Sequence, residues 1–115
     1  MLKVANMVGL GEYVSIYVPS TLDTNKSIDN AKFVEKIQFE LSKMFGGSTS
    51  YDTIGSFVAD NGEHIVEKVT IVKAFSTKID NEHIEKCVKL CEALKVEMSQ
   101  YCISLEINGK LYFVE

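Results

Sequence analysis

The stretch from Ile65 to Phe75 is apolar on both parities of a β-strand, with Val69, Ile71 and Phe75 on one side and Val66, Val72 and Ala74 on the other. A half-buried strand alternates apolar with polar residues, so this run predicts a central strand covered on both faces. Just upstream, Asp60-Asn61-Gly62-Glu63 is a strong turn signal, and Ser48 to Ala59 before it is strand-like, rich in Thr, Ser, Tyr, Ile, Phe and Val. The middle of the chain is therefore a β-hairpin, and the remaining elements have to be arranged around it.

On the N-terminal side, Val14, Ile16 and Val18 alternate with Tyr13, Ser15 and Tyr17, which is the period of a strand with two unlike faces, and Pro19 ends it. Leu2–Val8 reads as an extra strand or an arm, set off by Gly9-Leu10-Gly11. After a polar loop, Ser27 to Asn30 offers N-cap residues. Phe33, Val34, Ile37, Leu41, Met44 and Phe45 then recur at the spacing of one helical face, and Gly46-Gly47 stops that helix. Phe39 points away from this face, either to solvent or to a cover outside the helix's own core contact. Past the hairpin, Asp80 is a second N-cap with Glu82 in the first turn, and Ile84, Cys87, Val88, Cys91, Leu94 and Met98 make one stripe. In Tyr101 to Val114, Ile107-Asn108-Gly109-Lys110 marks a terminal hairpin.

Two strand-helix-strand crossovers joined by a hairpin specify an α+β fold, the ferredoxin-like split βαβ plait (β-α-β-β-α-β) with an additional C-terminal hairpin strand. At 115 residues the chain predicts a single domain over 1–115. Helices cover one face of such a sheet. The other is open unless a partner covers it.

The segment Phe45-Gly46-Gly47-Ser48-Thr49, then Gly55-Ser56-Phe57, the turn at Asn61-Gly62, and Glu67 leading into Val69-Thr70-Ile71-Val72 resembles the core of small bacterial and mobile-element plait proteins. The resemblance spans roughly Phe33 to Phe75. It implies the same plait and carriage on plasmids or phages, and brings no activity with it. Phe57 stands where Trp is commoner in such proteins, so a role specific to Trp does not transfer.

Charge narrows the partners. Asp plus Glu number 16 against 12 cations, all of them Lys. Clustered cations give nucleic-acid binders their affinity, and the planar fork of Arg grips phosphate in paired hydrogen bonds; an acidic chain without Arg disfavours nucleic acid. The Lys, Asn and Ile bias is also what an AT-rich genome would produce. No run approaches a membrane span and the first 18 residues lack a signal-peptide pattern, so a reduced cytoplasmic setting with free thiols is expected.

The local motifs mostly have structural readings. Gly46-Gly47 with Ser48, Thr49 and Ser50 follows a helix, whose C-terminal end is negative, so capping outweighs phosphate binding. His83, Cys87 and Cys91 share a helical stripe at metal-ligand spacing, but Ile84, Val88 and Leu94 accompany them and no CxxC pair exists, so the stripe reads as core and neither metal nor cofactor is expected. His64 beside a turn and His83 in a first turn offer little for a nucleophilic dyad. Glu67 in an apolar strand needs solvent, a partner such as Lys68 or Lys73, or a job.

The informative surface is the strand face bearing Tyr13, Ser15 and Tyr17. With Val14, Ile16 and Val18 toward the helices, both tyrosines stand on the open side, where the terminal hairpin adds Leu111 and Phe113 beside Glu106 and Ser104. An aromatic open face finds a cover: a second copy, a planar ligand or a single strand of nucleic acid. The preferred reading is a non-enzymatic homo-oligomeric binding protein whose ligand or partner surface uses Tyr13, Tyr17, Thr49, Tyr51, Glu67 and Lys73. With the mobile-element resemblance, it is a counter-defence or regulatory inhibitor capturing a protein or a nucleotide-like small molecule. The rival is a dimeric plait-type enzyme with His64, Glu67 or a tyrosine as acid or base in a cavity between sheet and helices.

Overall fold

The computed structural model describes residues 6–23 and 25–115. Its elements run β1 (Glu12–Pro19), β2 (Thr21–Leu22), β3 (Lys26–Ser27), α1 (Ala31–Phe45), β4 (Thr49–Val58), β5 (His64–Ser76), α2 (Asn81–Glu97), β6 (Ile103–Ile107) and β7 (Lys110–Val114). The main sheet has five strands in the order β4-β5-β1-β6-β7, antiparallel throughout. This is the expected plait with its extra hairpin strand at one edge. The arm or strand expected at Leu2–Val8 lies largely outside the described residues; Asn6–Val8, which are described, are exposed and not in a strand.

Both helices lie against one sheet face. Val14, Ile16 and Val18 of β1, Val72 and Ala74 of β5, and Ile103 and Leu105 of β6 meet Phe33, Val34, Ile37 and Leu41 of α1 and Cys87, Cys91 and Leu94 of α2 in one buried cluster. Each fully buried aliphatic side chain there contributes on the order of 1.5–3 kcal/mol. Burial pushes the Cys87 and Cys91 thiols up to about 11 and about 12, so both stay protonated and act as small hydrophobes.

The helix ends follow their sequence signals with one change. Gly46 adopts φ 88° and donates to the Ser42 carbonyl at 2.8 Å, and the Ser48 hydroxyl donates to the Gln38 carbonyl at 3.0 Å, which is capping. Asp80 caps α2 in a capping box with His83. Asn30 occupies the N-cap position of α1, yet its side chain reaches back to the Pro19 carbonyl at 3.0 Å and the Thr70 hydroxyl at 3.2 Å, and Asp29 accepts from Ala31 instead. The polar loop expected after Pro19 contains the short β2–β3 hairpin. It seats on the end of α2, where the Asp23 N–H donates to the Met98 carbonyl at 3.0 Å, one of the acceptors a helix end leaves unpaired.

The reading of β5 as covered on both faces is corrected. Val72 and Ala74 are buried under the helices, but Phe75 on the other parity is 48% exposed. Moreover, β1 pairs with β5 only from Val69 to Ser76, so His64–Lys68 of β5 pair with β4 alone. Ile54, Val58 and Val66 point to the helix side of the resulting two-stranded ribbon but lie past the helices, at 74%, 69% and 57% exposure. Of the apolar residues on the open parity, Ile71 is buried, Ile65 and Val69 are half-buried and Phe75 is exposed, so the chain itself covers the second side of this strand only in part.

Candidate functional site on the open sheet face

Strand pairing fixes which side chains share the uncovered face, because directly opposed residues point the same way. Tyr13 opposes Phe75, Ser15 opposes Lys73 and Tyr17 opposes Ile71; Thr49, Tyr51 and Gly55 of β4 oppose Lys73, Ile71 and Glu67. On the other side of β1, Ser15 opposes Glu106, which in turn opposes Leu111, while Ser104 opposes Phe113. All the residues singled out from the sequence, Tyr13, Tyr17, Thr49, Tyr51, Glu67 and Lys73, therefore stand on this one face, with Leu111 and Phe113 at its edge.

The centre of the face is a charged and aromatic cluster. The Tyr13 hydroxyl donates to Glu106 Oε2 at 2.5 Å and the Tyr17 hydroxyl donates to Glu106 Oε1 at 3.1 Å. Accepting from the phenols favours their neutral form. Tyr13 is shifted above the ordinary phenol value chiefly by that hydrogen bond, and Tyr17 chiefly by burial, with the same bond adding to it. Lys73 Nζ lies 4.4 Å from the centroid of the Tyr13 ring and 5.6 Å from that of Phe75. Tyr13 and Phe75 are 5.8 Å apart in a tilted arrangement.

The terminal hairpin positions Tyr13. Asn108 and Gly109 both take positive φ, 50° and 85°, which gives the tight turn that Asn-Gly encodes. Asn108 then brackets Tyr13, accepting from its N–H through Oδ1 at 2.9 Å and donating its own N–H to the Tyr13 carbonyl at 3.0 Å. The same hairpin carries Glu106, so one short segment supplies both the carboxylate and the clamp on its phenol partner.

Glu106 is the residue sequence reasoning did not rank. Ile103, Leu105 and Ile107 alternate as a core face, and a carboxylate between them had to emerge opposite, beside the tyrosines. Glu67 is half-buried and opposes Gly55; Lys68, one of its expected partners, pairs with Asp52 at 3.0 Å, and among the described residues Glu67 has no ion pair. Thr49 and Tyr51 are exposed and carry the face toward the β4 edge.

The rival site is corrected too. Among the described residues, the layer between sheet and helices is filled by the apolar cluster, and His64, Glu67 and the tyrosines are not part of it; Glu67, Tyr13, Tyr17 and Tyr51 face the opposite way. His64 lies at the exposed end of the ribbon. His83 is taken up by the cap of α2, and its ring lies tilted against Phe45 with centroids 4.7 Å apart. A groove of about 630 Å³ runs between α1 and α2 along Met44, His83 and Leu90 and touches none of the open-face residues. Phe39 is exposed, with Lys43 Nζ 4.8 Å above its ring. Among the described residues, no three His, Cys, Asp or Glu side chains are grouped to hold a metal ion, and no helix is long and apolar enough to cross a membrane.

No protein-family model matches the chain, and no curated protein matches it by sequence. Among solved structures it is similar over its whole length to a phage SAM lyase in complex with S-methyl-5'-thioadenosine, with 15% identity, a TM-score of 0.66, and coverage of 96% of this chain and 95% of that one. The same type of protein in its apo state gives 16% identity and a TM-score of 0.64, covering 96% and 94%. At this identity the likeness shows a shared α+β fold.

Proposed function

We propose that this protein binds S-adenosylmethionine on its open sheet face, closed over by a second copy of the chain, and breaks it down to a methylthio-nucleoside as a mobile-element counter-defence protein. The observation that carries the reading is the end-to-end correspondence with a fold that holds S-methyl-5'-thioadenosine in the phage enzyme. The open face supports it, offering aromatic rings for a purine and fixed charges for a polar tail. Tyr51 and Tyr17 supply flat surface, Thr49 a hydroxyl, and Glu67, Glu106 and Lys73 the charges. The exposed apolar ribbon and the Phe75, Leu111 and Phe113 margin supply what a homo-oligomer would bury.

The chemistry suits such a face. As an oxygen of the substrate's own carboxylate bonds to the carbon attached to the sulfonium and closes a lactone, the carbon–sulfur bond breaks and its electron pair returns to sulfur, which departs as a neutral thioether and needs no proton. A catalyst for that step has to orient and desolvate, and has no need of a general acid for the leaving group.

A second reading, capture of the same nucleoside without cleavage, is favoured by one observation: the two central phenols, Tyr13 and Tyr17, are shifted above the ordinary phenol value and so further from neutrality. Incubation with S-adenosylmethionine followed by mass spectrometry of the small molecules separates the two. Accumulation of S-methyl-5'-thioadenosine beyond one equivalent establishes cleavage. Stoichiometric retention of intact S-adenosylmethionine establishes capture, and absence of both rejects the nucleoside reading.

A further inference from the structure

Ser15 sits at the middle of β1 with 0% exposure, and among the described residues its Oγ is the buried side-chain polar atom that has no hydrogen-bond partner. Such a hydroxyl costs free energy unless something engages it. Its neighbours on the open face are Tyr13 and Tyr17 along the strand, Lys73 on one flanking strand and Glu106 on the other. A cation and an anion thus flank one serine from opposite sides, their strands roughly 10 Å apart by the spacing of two strand intervals.

These two charges do not neutralise one another. Among the described residues neither takes part in an ion pair. Tyr13 stands between them, its ring face under the Lys73 ammonium and its hydroxyl on the Glu106 carboxylate. Two half-buried opposite charges held apart by a shared aromatic spacer leave an unspent electrostatic field across Ser15.

We propose that Lys73, Ser15 and Glu106 form a reader for an α-amino-acid head group. The ligand carboxylate engages Lys73, its ammonium engages Glu106 in the presence of the two phenol donors, and the Ser15 hydroxyl, which both donates and accepts, becomes reachable as the two flanking side chains swing onto the ligand. A phosphate fits worse, since Glu106 repels it. A ribose diol would use Glu106 and leave Lys73 idle. Only a zwitterion gains from both charges at once.

The inference deepens the nucleoside reading, since the methionyl end of S-adenosylmethionine carries this head group, but its test separates the two. Calorimetry compares S-adenosyl-L-homocysteine, which has the head group and lacks the labile sulfonium, with S-methyl-5'-thioadenosine, which has no head group. The wild-type protein is expected to prefer the former at least about tenfold, one decade being a modest value for paired charged hydrogen bonds. Lys73→Gln and Glu106→Gln should each bring that ratio close to one, with an unchanged circular dichroism spectrum certifying that the variants are folded. Equal binding of the two nucleosides by wild type, or an unchanged ratio in both variants, overturns the head-group site and leaves the nucleoside reading intact. If neither nucleoside binds, that reading fails, and NMR of labelled protein with L-methionine decides the head-group site. Shifts at Ser15, Lys73 and Glu106 that vanish with L-methioninamide and with N-acetyl-L-methionine sustain it. No shift, or the same shifts from all three probes, overturns it.

Discussion

The two faces of the same sheet obey different rules. On the helix side Val14, Ile16, Val18, Val72, Ala74, Ile103 and Leu105 are all buried and aliphatic, and their selection is for shape and transfer from water. On the other side, one residue away along each strand, stand two phenols on a shared carboxylate, an ammonium over a ring and a buried hydroxyl with no partner. Nothing in that arrangement is needed to hold the helices on. A strand's period of two lets one segment serve both purposes, so folding and function here are divided by side-chain parity.

The largest effect should come from the covered face. Ile16→Ala, which leaves a cavity under both helices, is expected to cost about 2–5 kcal/mol in denaturant unfolding; a loss no greater than that of a surface substitution would show that this face is not the core. Tyr17→Asp, its neighbour in sequence but on the opposite face, should leave the helical circular dichroism signal intact and convert the proposed oligomer to single chains in light scattering. An unchanged mass would place the interface elsewhere.

The pH response sharpens the same contrast. Because Tyr13 and Tyr17 are shifted above 10 in the folded chain, their contribution is fully present below pH 10 and is lost as pH rises through the shifted values. Tyrosinate absorbance should therefore show a late-titrating fraction of the five tyrosines, and Glu106→Gln should move that fraction back toward pH 10. A single uniform titration in wild type would contradict the carboxylate–phenol cluster. The smallest effect is a non-event: at pH 8 a thiol reagent should label the half-buried Cys102 and spare Cys87 and Cys91 until the protein is unfolded. Fast labelling of all three would mean that the covered face opens readily.

Most of this division was legible in the residues. The alternation in Glu12–Val18 put Tyr13, Ser15 and Tyr17 on one side, and the Asn-Gly turn at Asn108-Gly109 fixed the register that brings Leu111 and Phe113 to the same side. Other features were hidden for physical reasons. Periodicity reports faces, not where a partner strand ends, so the overhang of His64–Lys68 past Pro19 looked like an interior strand. The two-residue strands Thr21–Leu22 and Lys26–Ser27 are too short to carry a period. Ser15 passed as filler because a small hydroxyl becomes notable only when its pairing is known, and Glu106 gained importance only through the hydroxyls that converge on it from another strand.

Native mass spectrometry of the protein taken gently from the cells that express it probes the open face most directly. The account predicts an assembly of whole multiples of the chain that retains an adenine nucleoside. A lone chain free of any small molecule, its phenols in contact with water, would contradict it.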